Sequence, residues 1–258
     1  MSKILLELSY VGTDYHGWQV QKNAKSVQKT VQNALNSLCG SDITLTGCSR
    51  TDTGVHARSY FALAEGEIPK GLLSPRMPNA LNVNLPPDIC AKGAYFVTDD
   101  FHPRYSVVSK EYEYVIIDQK YPDPFLCGRA WKSSKPLDTD LMNKCAKDFL
   151  GTHDFTAFCA AGSKAMENGD CVRTVFDASV QRVGENISFR VSADGFLYNM
   201  VRIMAGTLVD ISLGKIDRGD IPRIIESKNR NLAGRTLPPD GLYLDRVEYK
   251  KGALIDIE

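Results

Sequence analysis

The chain has 258 residues, of which 43% are hydrophobic and 24% charged, an ordinary globular composition with enough apolar mass for one large domain or two small ones. Lysine plus arginine and aspartate plus glutamate number 31 each, so net charge gives no sign of a polyanionic partner, though basic side chains gathered on one face could still bind nucleic acid. No apolar run reaches the roughly 20 residues of a membrane span, and the N-terminus lacks the apolar core of a secretory signal, so a cytoplasmic protein is expected.

Residues 4–10 alternate in strand period. A turn-rich loop from Gly12 to Gly17 leads to Trp18. Ser26 then precedes the stripe Val27, Val31, Ala34, Leu35 and Leu38, with Gly40 beyond it, which predicts a capped amphipathic helix. Strands are expected at 43–48 and 59–64, joined by the polar segment 49–58. The proline-rich stretch 68–87 reads as loop with a short helix around Ala80, followed by a strand at 89–97.

The second half repeats this order with other residues. A strand at 110–118 places Tyr112, Tyr114 and Ile116 on one face. Asp138 caps a helix carrying Leu141, Cys145 and Phe149, stopped by Gly151. A hairpin is expected from 172–182 and 187–193, then a long apolar helix at 196–213, a short helix at 221–225 and a last strand at 242–249. The expected fold is α+β: two β-α-β-β subdomains, 1–104 and 105–258, forming one continuous, mostly antiparallel sheet with a central cleft.

Seven cysteines stand singly and four histidines lie far apart, with no C-x-x-C and no metal-ligand spacing. No metal is expected. The densest run of reactive side chains is 49–58, Ser-Arg-Thr-Asp-Thr-Gly-Val-His-Ala-Arg. By itself Asp52-Thr53-Gly54 reads as a tight turn. The helix at 196–213 shifts that balance, because Arg202 sits in its apolar middle. A buried arginine either snorkels to solvent or meets a carboxylate, and Asp52 is the candidate partner. Such a partner would hold Asp52 ionised, ready to act as nucleophile or base.

These blocks together resemble the TruA-type tRNA pseudouridine synthases. The matching residues are Tyr10-x-Gly12-Thr13-x-Tyr15-x-Gly17-Trp18-Gln19, Arg50-Thr51-Asp52-x-Gly54-Val55-His56-Ala57, Phe101-His102-x-Arg104, Lys110-x-Tyr112-x-Tyr114, Gly151-x-His153-Asp154-Phe155, and Phe196-Leu197-Tyr198-Asn199-Met200-Val201-Arg202. The resemblance implies conversion of uridine to pseudouridine in the anticodon stem-loop of tRNA, at positions thirty-eight to forty, without cofactor, by a homodimer. It implies Asp52 as the catalytic carboxylate, Arg202 as its partner, and Tyr112 as the ring that stacks on the target base. Arg50 looks like the residue that helps extrude the nucleotide, and His56 and Arg58 of the same run are the other expected substrate contacts. Two other readings stand beside it. One is a non-catalytic RNA-binding module; the other is an aspartic protease carrying a D-T-G signature.

Overall fold

A computed structural model describes residues 2–121 and 123–256. The chain divides into two compact units: one takes the chain up to Val108 together with the segment from Tyr243 onward, the other Ser109–Leu242. Residues from Tyr243, which follow the second unit in sequence, thus cluster with the first half.

The first unit begins with β1 (Ser2–Tyr10), α1 (Val27–Cys39), β2 (Thr44–Gly47), β3 (His56–Gly66), α2 (Met77–Asn82) and β4 (Ile89–Val97). Central β1 pairs antiparallel with both β3 and β4, and Ile4, Leu5, Leu6 and Leu8 are all fully buried. Leu5 is therefore buried as well as the alternating face expected from sequence. Ser26 caps α1 by accepting from the Lys29 backbone N–H, and Gly40 ends it at φ 67, a left-handed conformation that favours glycine. Strand β3 starts at His56, three residues before the expected Ser59. Leu8 pairs with Tyr60 but Tyr10 with Ala57, so Arg58 and Ser59 stand opposite the single Ser9. This bulge re-aims the side chains at the start of β3.

The second unit holds β5 (Val107–Ile117), β6 (Trp131–Lys132), α3 (Thr139–Ala146), β7 (Gly151–Asp154), α4 (Lys164–Glu167), β8 (Val172–Val183), β9 (Asn186–Ala193), α5 (Met200–Ser212) and α6 (Ile221–Ser227). The hairpin of β8 and β9 closes across Val183 and Asn186, with Gly184 at φ 60 in the two-residue turn. Strand β9 pairs antiparallel with β5, and β7 with β8. From Tyr112 to Ile117 every residue of β5 is buried, so Glu113 and Val115 are covered as well as the tyrosine face. Helix α5 is shorter than expected. Residues 196–199 are not helical, because Asn199 adopts φ 60 and α5 starts only at Met200. Hydrophobic period alone does not register that left-handed step.

The chain then forms β10 (Leu242–Tyr249) and β11 (Leu254–Asp256). In the first unit β10 runs parallel to β3, pairing Tyr243 with His56, and β11 pairs with β4. The sheets in both units are mostly antiparallel and the chain is α+β. No described helix is long and apolar enough to cross a membrane.

Candidate active site

The segment before β3 is a built loop. The Asp52 carbonyl accepts from Val55 N–H at 3.1 Å, closing a turn whose third residue, Gly54, has φ 80. A second loop, 12–17, is pressed against it. Thr51 O accepts from Trp18 N–H at 3.1 Å, and Tyr15 O accepts from Gly54 N–H at 3.1 Å. A Cβ on Gly12 would lie 2.0 Å from Val55 O, and one on Gly17 would lie 2.4 Å from Thr51 O. Glycine at both positions is what allows the two backbones to touch.

Buried aromatics support this pair of loops. Trp18 stacks on Tyr60 with ring centroids 4.1 Å apart, and Tyr10 leans on both. Gly47 makes room, since its Cβ would meet the Tyr60 hydroxyl at 2.1 Å. The Tyr10 hydroxyl shares a 2.8 Å hydrogen bond with Thr51 Oγ1, and Tyr60 donates to Ser49 O. The buried Tyr15 hydroxyl donates to Asp88 at 2.8 Å; burial first, then that acceptor, push its pKa far above the usual phenol value. Sequence reading passed over Tyr10, Tyr15 and Tyr60 as supports. For Tyr10 and Tyr15 the signal was the spacing of small and aromatic residues in the first block.

Each expected site residue in this unit has a clear position. Asp52 is half-buried on the turn. Arg50 is exposed and makes no hydrogen bond or ion pair among the described residues. Arg58 is exposed, donates to Asp245 at 2.6 Å and lies 4.3 Å over the Tyr243 ring. His56 is only 1% exposed. Its Nδ1 accepts from Gly12 N–H at 2.9 Å and its ring stacks on Tyr243. Buried in this way, His56 fixes the loops rather than facing solvent.

The second unit positions the other two. Tyr112 on β5 is buried and meets Phe196 edge-on at 5.1 Å. Beside it the Tyr114 hydroxyl donates to Pro238 O at 2.7 Å. Arg202, half-buried on α5, donates from Nε to Leu237 O and from Nη1 to Asn199 Oδ1, both at 2.6 Å. The left-handed Asn199 thus serves the arginine from just before the helix. Among the described residues, no group of three His, Cys, Asp or Glu side chains could hold a metal ion.

Comparison with known proteins finds relatives along nearly the whole chain. Residues 145–250 match a family model described as tRNA pseudouridine synthase. The chain is 45% identical to tRNA pseudouridine synthase A of Acetivibrio thermocellus over 96% of this chain and all of that protein. It is 43% identical to the protein of that name from Caldicellulosiruptor saccharolyticus, again over 96% of this chain and all of the relative. With the Bacillus subtilis protein of that name the identity is 41%, over 94% of this chain and 97% of the relative. This chain belongs to the tRNA pseudouridine synthase A family.

Proposed function

We propose that the protein isomerises uridine to pseudouridine in the anticodon stem-loop of tRNA, at positions thirty-eight to forty, with Asp52 as its catalytic carboxylate. The observation that carries this reading is the rigid Asp52 turn. Two glycine-mediated backbone contacts and a buried aromatic cluster hold it, in a chain related over nearly its whole length to synthases of that name. A carboxylate held by that much structure is pre-organised for chemistry. The glycine of the D-T-G run closes its turn at positive φ, which accounts for the likeness to a protease signature without a second carboxylate.

In this reading Arg202 is the counter-ion that keeps Asp52 ionised, with Nε and Nη1 already engaged by Leu237 and Asn199. Tyr112 supplies a ring for the target base and a hydroxyl for its C5 proton. Pseudouridine formation breaks the glycosidic bond, turns the base and rejoins C5 to the sugar, so a stem uridine has to be flipped out. Arg50, exposed and uncommitted beside Asp52, suits the phosphate or the space of the extruded nucleotide. Arg58 offers a second cation to the backbone, and His56 acts as a positioning residue. By resemblance the enzyme works as a cytoplasmic homodimer, with neither metal nor cofactor.

The experiment is to map pseudouridine in tRNA transcripts after incubation with the protein. Product at positions thirty-eight to forty, lost when those uridines are replaced by cytidine, supports the reading. Product elsewhere in the tRNA, or none, contradicts it.

A further inference from the structure

Residues 233–237 form a strap laid along α5, the helix that carries Arg202. Its near end is the Arg202 contact itself: Leu237 O accepts from Arg202 Nε at 2.6 Å, and Leu237 N–H donates to Arg202 O at 3.3 Å. One turn along, Gly234 N–H donates to Thr207 Oγ1 at 2.9 Å, and that hydroxyl donates to Ile203 O at 2.8 Å. At the far end Asp210 accepts from Arg235 N–H at 3.3 Å and from Arg235 Nε at 3.1 Å, with Lys215 Nζ at 3.6 Å.

The strap has almost no slack. A Cβ on Gly206 would lie 1.8 Å from Arg235 O, and one on Gly234 would lie 2.5 Å from Thr207 N. Arg230 ties the outer side. Its Nη1 donates to Gly234 O at 2.9 Å and its Nη2 to Thr236 Oγ1 at 2.9 Å. The carbonyl that orients the Arg202 guanidinium is therefore set by Asp210, further along α5, and by Arg230 on the outer side of the strap.

We propose that Asp210 and Arg230 are positioning residues for Arg202, holding the 233–237 strap so that Leu237 O fixes the guanidinium in its working orientation. The inference rests on the role given to Arg202 above. Charge-assisted hydrogen bonds to a planar guanidinium are directional, so a shifted carbonyl rotates the fork. Small misplacements of a catalytic partner lower turnover far more than substrate binding.

The test is single-turnover pseudouridine formation, with tRNA affinity and thermal midpoints, for Asp210→Asn and Arg230→Met in the wild-type and Arg202→Lys backgrounds. A lysine has no Nε to give to Leu237 O. Each variant is expected to slow turnover roughly tenfold or more with tRNA affinity unchanged, and to add nothing once Arg202 is lysine. Using two variants on opposite sides of the strap guards against one that simply fails to fold. Equal slowing in both backgrounds, or slowing only in proportion to lost thermal stability, would show a merely structural strap and overturn the proposal. Wild-type turnover by both variants, with Arg202→Lys impaired, would overturn it too while leaving the role of Arg202 intact. Wild-type turnover by Arg202→Lys would instead overturn the role of Arg202 on which the proposal rests.

Discussion

Gly17 lies against Thr51 so closely that a Cβ on the glycine would stand 2.4 Å from the threonine carbonyl oxygen. Gly17 also has φ 80. The residue therefore serves twice, once for conformation and once for space, and it does so next to Asp52. Gly17→Ala should destabilise the fold by more than about 1 kcal/mol, because the native conformation is incompatible with a side chain. It should lower turnover further than stability alone requires, since the Asp52 turn must move. Urea unfolding together with kcat on tRNA checks both parts; an alanine variant with wild-type values on both would remove the close approach from the account.

Arg50 carries a charge that the described fold does not use. Arg50→Ala should leave stability within about 0.5 kcal/mol, as surface changes usually do. Its effect should fall on kcat/KM for tRNA, by roughly tenfold. Steady-state kinetics beside a thermal melt separates the two, and an unchanged kcat/KM would take Arg50 out of the substrate site.

Tyr112 packs its ring against Phe196 at 5.1 Å. Tyr112→Phe preserves that packing and removes only the hydroxyl. Stability and tRNA affinity should hold while release of the C5 proton slows. Full-rate release by the phenylalanine enzyme would leave the hydroxyl without a chemical role.

Acid sensitivity should show at Asp118. Arg182 donates to both its oxygens, at 2.9 and 2.8 Å, and that bidentate contact lowers the Asp118 pKa below the ordinary carboxylate range. A depressed folded pKa stabilises the protein above the unfolded value of about 3.9, and the contribution fades as pH falls through the folded pKa. Arg182→Met should therefore lower the urea midpoint at neutral pH and matter progressively less below pH ~4. A deficit that stays constant across that range would assign the loss to packing instead.

What the sequence made legible was local. Ser26 and Gly40 mark the ends of α1 because caps are written in side-chain type, and Gly184 marks the β8–β9 turn for the same reason. Strand β4 and strand β10 followed from runs of apolar and β-branched residues. Strand β7, only Gly151–Asp154 and polar, has no such pattern and exists through its pairing with β8. The early start of β3 depends on Tyr10 and Tyr243, both distant in sequence. Of the proposed site residues, Arg202 stood out as a charge in an apolar helix and Asp52 by the reactive run around it, whereas Tyr112 rested on the family resemblance. The strap at 233–237 and the roles of Gly12, Gly17 and Gly206 did not, because close backbone approach is a property of two segments at once.

Asp52 is proposed to perform the chemistry on tRNA. The most direct measurement is tritium release from tRNA labelled at C5 of uridine, comparing wild type with Asp52→Ala at matched fold and matched tRNA affinity. Release by the wild type and none above background by the alanine variant is expected, with both proteins binding tRNA equally. Release by Asp52→Ala at a rate near that of the wild type would contradict it.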